Sequence, residues 1–211
     1  MTSYFPEAYD SLPSLREAAR VFEKYEAEKV LLGPIRQIYI ESGMHEHYGV
    51  SLLHKHFPME TNQRLVDYRN ISAPWTVNDK NAVVSKYEGF IVPRSFRFFD
   101  RRLTPFEFEF SSFFPQGNCD LEFFERLSCL LHDHNLENVL GVRCLDKFDP
   151  ELSVEVTEGK TNIMISRGSV QNSELIEAFW IFSTDDDQRC HCRESCWKDS
   201  EGKHVEDHGC S

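Results

Sequence analysis

The stretch TPFEFEFSSF, residues 104–113, alternates strictly: Phe106, Phe108 and Phe110 fall on one side of an extended chain, Glu107 and Glu109 on the other. Successive side chains of a strand point to opposite faces, so this pattern describes a sheet with one apolar and one polar face. Its neighbours carry the same signal. IRQIYIE (35–41), YGVSLLHKHF (48–57), RLVDYRN (64–70) and EGFIVPRSFRFFD (88–100) are rich in β-branched and aromatic residues, and turn-prone VNDKNA (77–82) separates two of them. NVLGVRCL (138–145), LSVEVTEGK (152–160), TNIMISRG (161–168) and AFWIFST (178–184) read as further strands, with Glu158-Gly159 as a hairpin turn.

Two helices are expected. In residues 11–30, Ser14 and Glu17 have capping-box spacing, Leu15, Ala18, Phe22 and Tyr25 form a stripe, and Gly33-Pro34 ends the run. In residues 118–135, Asn118 is the expected N-cap, Leu121, Phe124, Leu127 and Leu131 the apolar face, and Asn135 the left-handed C-terminal residue. The expected fold class is α+β: a mostly antiparallel sheet curled into a barrel or sandwich, two main helices and a Cys/His-rich C-terminal tail. The expected division is a core domain over residues 1–184 and a metal-binding tail over 185–211.

The 211 residues are 40% hydrophobic with 17 Phe, enough for a sizeable core, and carry a formal net charge of −12. That field repels nucleic acid and anionic membrane surfaces, so neither is expected as a partner. The start of the chain has no basic segment followed by an apolar one, and no apolar run approaches membrane-spanning length, so a cytoplasmic protein is expected.

The tail, RCHCRESCWKDSEGKHVEDHGCS (189–211), holds four of the seven cysteines. In a reducing compartment such a cluster is more often metal-binding than disulfide-bonded, and an odd count leaves one thiol over. Cys192-x3-Cys196-x7-His204-x3-His208 offers two thiolates and two imidazoles at within-pair spacings that tetrahedral Zn2+ accepts. Cys190 and Cys210 are alternative ligands, and a frayed tail or disulfides are the competing readings. The x7 gap and the acidic charge do not describe a DNA-reading finger.

His54 and His56 lie two apart on an expected strand, which puts both imidazoles on one face, as two metal ligands require; ordinary hydrogen-bonded or surface histidines are the alternative. If the strand carrying Glu107 and Glu109 lies beside them, two histidines and a carboxylate make a sufficient set for an open zinc site, and the other carboxylate is a general base. Against this stands a strand with a wet acidic face. His132 and His134, at a helix end, and His45 and His47, in a turn, are weaker candidates. There is no phosphate-binding glycine loop and no G-x-S-x-G elbow; Cys144 reads as a lone buried thiol rather than a nucleophile.

Taken together, YGVSLLHKHF, PFEFEF and the Cys/His-rich tail after AFWIFSTDD resemble small fungal haemocyanin-like zinc proteins of the cyclopenase family, from quinolone-alkaloid biosynthesis. The resemblance implies a zinc-dependent lyase reaction on a small aromatic alkaloid. A benzodiazepinedione epoxide of the cyclopenin type contracts to a 4-arylquinolinone of the viridicatin type. The chain lacks the two sets of three histidines of an oxygen-carrying haemocyanin. A non-enzymatic binding module with a structural zinc in its tail is the alternative.

Overall fold

In the computed structural model the described residues are 4–76, 89–112, 120–145, 153–166, 176–184, 190–198 and 204–207. The chain opens on short α1 (Pro6–Asp10), followed by α2 (Leu15–Lys24), α3 (Ala27–Val30) and α4 (Arg36–Glu41). The capping box forms as expected: Ser14 Oγ accepts from the Glu17 amide, and the Glu17 carboxylate accepts from the Ser14 amide at 2.9 Å. The expected single helix is interrupted. Glu26 takes a left-handed conformation (φ 49°), and a π-type turn over Leu31–Ile35, kinked at Gly33, leads into α4.

Residues 35–41, expected as a strand, are thus helical. Their apolar residues are β-branched and aromatic, but Ile35, Ile38 and Tyr39 recur at i, i+3 and i+4 and are the ones buried. Burial at helical spacing outweighs β-propensity, which mostly measures fit to a packed surface. The later helix, α5 (Leu121–Asp133), begins at Asp120, whose carboxylate accepts from the Phe123 amide at 3.1 Å. Asn118 lies outside the described residues. Asn135 ends the helix with φ 59°, as expected.

The strands are β1 (Tyr48–Leu52), β2 (Gln63–Tyr68), β3 (Ile71–Thr76), β4 (Phe90–Phe99), β5 (Arg102–Ser111), β6 (Leu140–Cys144), β7 (Ser153–Glu158), β8 (Thr161–Ser166), β9 (Ile176–Phe182), β10 (Cys190–Lys198) and β11 (His204–Asp207). The fold is therefore α+β. The hydrogen-bonded order is β1-β6-β4-β5-β2-β3-β8-β7-β11-β10-β9, and β9 also pairs with β1 at Val50–Trp180 and Ser51–Phe179. The β2–β5 pairing is parallel and the others antiparallel. The turn between β7 and β8 is Gly159-Lys160, one residue later than expected, with the glycine at φ 63°. Backbone pairing crosses the expected division at residue 184: β10 joins β9 and β11 joins β7.

Helices cover one face of this sheet. Val50, Leu52, Leu140, Val142, Ala178, Trp180 and Phe182 from β1, β6 and β9 pack with α2–α5 in one cluster, where the Phe22 ring stacks on Trp180 at 5.2 Å. Tyr39 is fully buried there and donates to Gly49 O at 3.2 Å; burial pushes its phenol well above the usual range, so it stays a neutral donor. A smaller cluster joins Ala8, Tyr9 and Leu12 near α1 to Leu53, Phe57, Leu65 and Phe106. Among the described residues no helix is long and apolar enough to cross a membrane.

Gly49 tests the pairing of β9 with β1. A Cβ there would stand 2.6 Å from the Trp180 carbonyl oxygen and 2.6 Å from the Phe179 ring. The carbonyl is backbone and cannot swing away, so Gly49→Ala is expected to lower stability by about 1–3 kcal/mol in urea unfolding. A neutral substitution would mean that the two strands do not meet there.

Candidate functional site

Glu107 and Glu109 lie on β5 as the alternation requires: Phe106 and Phe108 are 2% and 3% exposed, and the glutamates between and beyond them are half-buried. Register fixes which residues share the glutamate face. Glu107 stands opposite Ser95 of β4 and beside Leu65 of β2; Glu109 stands opposite Val92 and beside Asp67. Asp67 is opposite Ser72 of β3, and Ser72 is opposite Asn162 of β8, which is opposite Thr157 of β7. Cross-strand partners project to the same side. A row of polar residues therefore runs over five strands on one face. Its members interact: the Ser72 hydroxyl donates to Asp67, Arg94 from the bulge in β4 pairs with the same carboxylate, and Thr157 Oγ1 donates to Asn162 Oδ1 at 2.7 Å.

His54 and His56 reach this row from outside the sheet. The expected strand over 48–57 stops at Leu52, and β1 is separated from β5 by β6 and β4. The segment beyond β1 is held by the chain around α1: Lys55 N donates to Pro13 O at 2.9 Å, Lys55 Nζ to Asp10 O at 2.8 Å, and the His56 amide to the Tyr9 hydroxyl at 3.2 Å. The two imidazoles lie together although the segment is not the expected strand, with ring centroids 4.8 Å apart and planes at 64°. His56 Nε2 is 3.8 Å from Glu107 Oε1, with the two side chains 6% and 16% exposed. So His56 and Glu107 approach each other, with His54 packed against His56, though not through neighbouring strands.

His54 Nδ1 lies 2.9 Å from Leu52 O. A carbonyl only accepts, so Nδ1 carries a proton, and in the neutral imidazole Nε2 is the end that can ligate a metal or accept a proton. The His56–Glu107 gap is longer than a hydrogen bond and close to the roughly 3.4 Å between two ligand atoms on one tetrahedral zinc. Two imidazoles and a carboxylate are zinc donors by type. Yet among the described residues no group of three His, Cys, Asp or Glu side chains is placed to hold an ion. Glu109 is one step further along the row, in register with Asp67 and Val92 rather than with the histidines.

In the tail, Cys192 and Cys196 lie on β10, opposite Trp180 and Ile176, and Cys190 is opposite Phe182. On the other edge Cys196 stands opposite Glu206 and Lys198 opposite His204 of β11, so Cys196 and His204 are diagonal neighbours in the ladder. His208 and Cys210 lie outside the described residues. His132 lies in the last turn of α5, with Glu137 Oε2 2.7 Å from its Nδ1 and Arg101 Nη2 3.3 Å from its Nε2, and exposed His134 is the C-cap residue. Both ring nitrogens of His132 are engaged on the surface.

Sequence reasoning missed Asp67, Ser72, Arg94 and Asn162. β3 contains Pro74, which reads as a strand breaker, so Ser72 had no place on a sheet. Arg94 sits at a bulge that alternation cannot foresee. Asn162 was detectable as the polar residue next to Ile163 in an alternating strand.

The His54 tautomer is open to direct test. Long-range proton–nitrogen NMR correlations above pH 8 are expected to show its Nδ1 protonated and Nε2 bare; an Nε2–H tautomer would remove His54 as a donor on that side. Comparisons with protein families, with curated proteins and with solved structures find no match for the chain.

Proposed function

We propose that the chain is a lyase of the cyclopenase type, acting on a small aromatic alkaloid at the His54–His56–Glu107 group. The observation that carries the reading is the His56–Glu107 approach of 3.8 Å with His54 against it. It supplies a proton acceptor and a proton donor side by side, shielded by Tyr9 and Phe57. The pairing of β9 with β1 supports a sheet curled into a barrel, with the polar row lining its inside and α1 against one end.

Ring contraction of a benzodiazepinedione epoxide needs a base for the amide N–H and an acid for the epoxide oxygen. The Glu107 carboxylate takes the amide proton. The aryl carbon then bonds to the epoxide carbon as the C–O bond opens, and His56 in its protonated form delivers a proton to that oxygen. The bond from that aryl carbon to the ring carbonyl and the bond from the N-methyl nitrogen to the oxygen-bearing carbon then break, so the carbonyl and N–CH3 leave together as methyl isocyanate; Glu107 returns its proton to the amide nitrogen, His56 takes one back from the oxygen, and the ketone enolises to the 3-hydroxyquinolinone. Half-burial keeps bulk water from competing with these transfers while leaving the glutamate reachable. A zinc ion taken up by His54 and His56 would supply Lewis-acid polarisation of the epoxide or carbonyl oxygen in place of the His56 proton, since a protonated imidazole cannot ligate, and would leave Glu107 as the base. Cys192, Cys196, His204 and His208 remain the proposed ligands of a zinc in the tail.

The test is turnover of cyclopenin, followed by the appearance of a viridicatin-type product. Glu107→Gln is expected to cost about 10²–10⁴-fold in kcat with little change in melting temperature. Glu109→Gln, farther from the histidines, is expected to cost less. Zinc per chain, measured in the intact protein and in His54→Ala and Cys196→Ser, assigns the ion to one place or both. A zinc-loaded protein that leaves cyclopenin untouched would overturn the lyase reading and favour a binding module. Turnover unaffected by stripping the metal would leave the proton chemistry standing without zinc.

A further inference from the structure

α1 is five residues long and no side chain caps its N-terminal end, so it does not hold its own position. Ala8 and Tyr9 are fully buried with Leu53, Leu65 and Phe106, but apolar contact is non-directional. It fixes how deep the helix sits and leaves its rotation and its place along the sheet open. Direction comes from hydrogen bonds at the C-terminal end, where two cations from different segments meet it. Arg97 of β4 donates through Nη1 to Ala8 O at 3.1 Å and to Ser11 Oγ at 2.8 Å. Lys55, beside His56, donates through Nζ to Asp10 O at 2.8 Å. Carbonyls at a helix C-terminus lack partners within the helix, so both cations fill places the helix leaves open. α1 is a bracket between the sheet and the segment of the histidines.

The bracket has one more attachment. Arg97 Nη2 donates to Oδ1 of Asn138, an exposed residue between α5 and β6, at 2.8 Å. A guanidinium only donates, so the oxygen end of the Asn138 amide faces it. Among the described residues Nη2 has no other acceptor, and Nε has none. Arg97 is 3% exposed, so a guanidinium that loses Asn138 regains an acceptor by moving. Ala8 and Ser11 are bonded to the same guanidinium and follow it. Tyr9 lies between them, and its hydroxyl receives the His56 amide at 3.2 Å.

We propose that Asn138 is a positioning residue for the His56–Glu107 pair, acting through Arg97, α1 and Tyr9. His56 Nε2 stands 3.8 Å from Glu107 Oε1, and a shift of one ångström between reacting groups costs up to about 10²-fold in rate. Asn138 in this role deepens the lyase reading by naming what sets the geometry of that site. Only the kinetic part of its test rests on that reading.

The experiment compares the unchanged protein with Asn138→Leu, which removes the acceptor and keeps the space filled, and with Asn138→Asp, which keeps an oxygen for Arg97. Two NMR readouts need no substrate: the imidazole proton–nitrogen signals of His56, and exchange of the His56 amide against that of Val142 in β6. Asn138→Leu is expected to shift the His56 ring signals and to speed exchange of its amide about tenfold while Val142 is unchanged. Asn138→Asp is expected to keep both as they were. With cyclopenin, Asn138→Leu is expected to lower kcat about tenfold with KM nearly unchanged. If Asn138→Leu does not fold, Ser11→Ala, which removes another acceptor of the same guanidinium, is read in the same way. Exchange that rises equally at His56 and Val142 assigns Asn138 to global stability, and His56 signals indifferent to Asn138→Leu show that the bracket does not need it; either result overturns the proposal. If His56 follows Asn138 but the unchanged protein never consumes cyclopenin, the positioning stands and the lyase reading falls. If cyclopenin is consumed with kcat indifferent to Asn138→Leu, the lyase stands and the positioning falls.

Discussion

A guanidinium that cannot reach water holds the site together. Arg97 of β4 is 3% exposed and donates to Ala8 O at 3.1 Å, Ser11 Oγ at 2.8 Å and Asn138 Oδ1 at 2.8 Å. Burial lowers its pKa from the usual arginine value, yet arginine stays charged throughout the working range. A buried cation must be surrounded by acceptors, and these three come from the residues around α1 and the approach to β6. The arrangement pins α1 to the sheet. Tyr9 on α1 then receives the His56 amide, and Pro13 and Asp10 hold Lys55. The position of the histidines against Glu107 is thus a consequence of where Arg97 finds its acceptors. Tyr4 extends the same seam: its hydroxyl donates to Gln63 O at 3.2 Å, its ring meets Phe108, and burial, with Asp10 adding to it, pushes its phenol up to about 12.

The two faces of the sheet obey different constraints. On the helix side, Val50, Leu52, Leu140, Val142 and Trp180 need only apolar contact, which α2–α5 supply. On the other side Ser51, Ser95, Glu107, Asp67 and Asn162 need specific partners, and pairing them uses most of the available geometry. Where pairing is complete, as for Asp67 with Arg94 and Ser72, the face is structural. At Ser95 and Asn162 no partner stands among the described residues, so pairing within them is incomplete.

Alternation was enough to find β5 and to sort its phenylalanines from its glutamates, because one face of that strand is buried and a shift of one residue would invert it. The capping box at Ser14 and the left-handed Asn135 were equally readable, being local. Residues 35–41 were not, since Ile and Tyr suit a strand and a buried helix alike, and only the packing of Ile35, Ile38 and Tyr39 decides between them. The meeting of His56 with Glu107 lies beyond the reach of any local pattern. It joins residues 51 positions apart through a segment that has left the sheet, and depends on α1, too short to announce itself in the sequence. Asp67 and Arg94 pair through a bulge, and bulges shift register in ways that period-two reading cannot follow.

Topology also constrains the metal question. Glu107 is on β5 and His204 on β11, and the hydrogen-bonded path between them runs through β2, β3, β8 and β7, five strand steps in a series of eleven. At roughly 4.8 Å per step that path is about 24 Å along the sheet. Ligand atoms on one zinc ion stand within about 4 Å of each other. The reading proposed above accordingly assigns the ion beside Glu107 and the one at the Cys196–His204 ladder to separate places. In that reading the two sets of donors would have different duties. A four-ligand centre in the tail would be closed and would act by holding β10 and β11 to β9 and β7. In the proposed reading the substrate reacts beside His54, His56 and Glu107, and a zinc ion held there by few protein donors would keep a position open for the reacting oxygen.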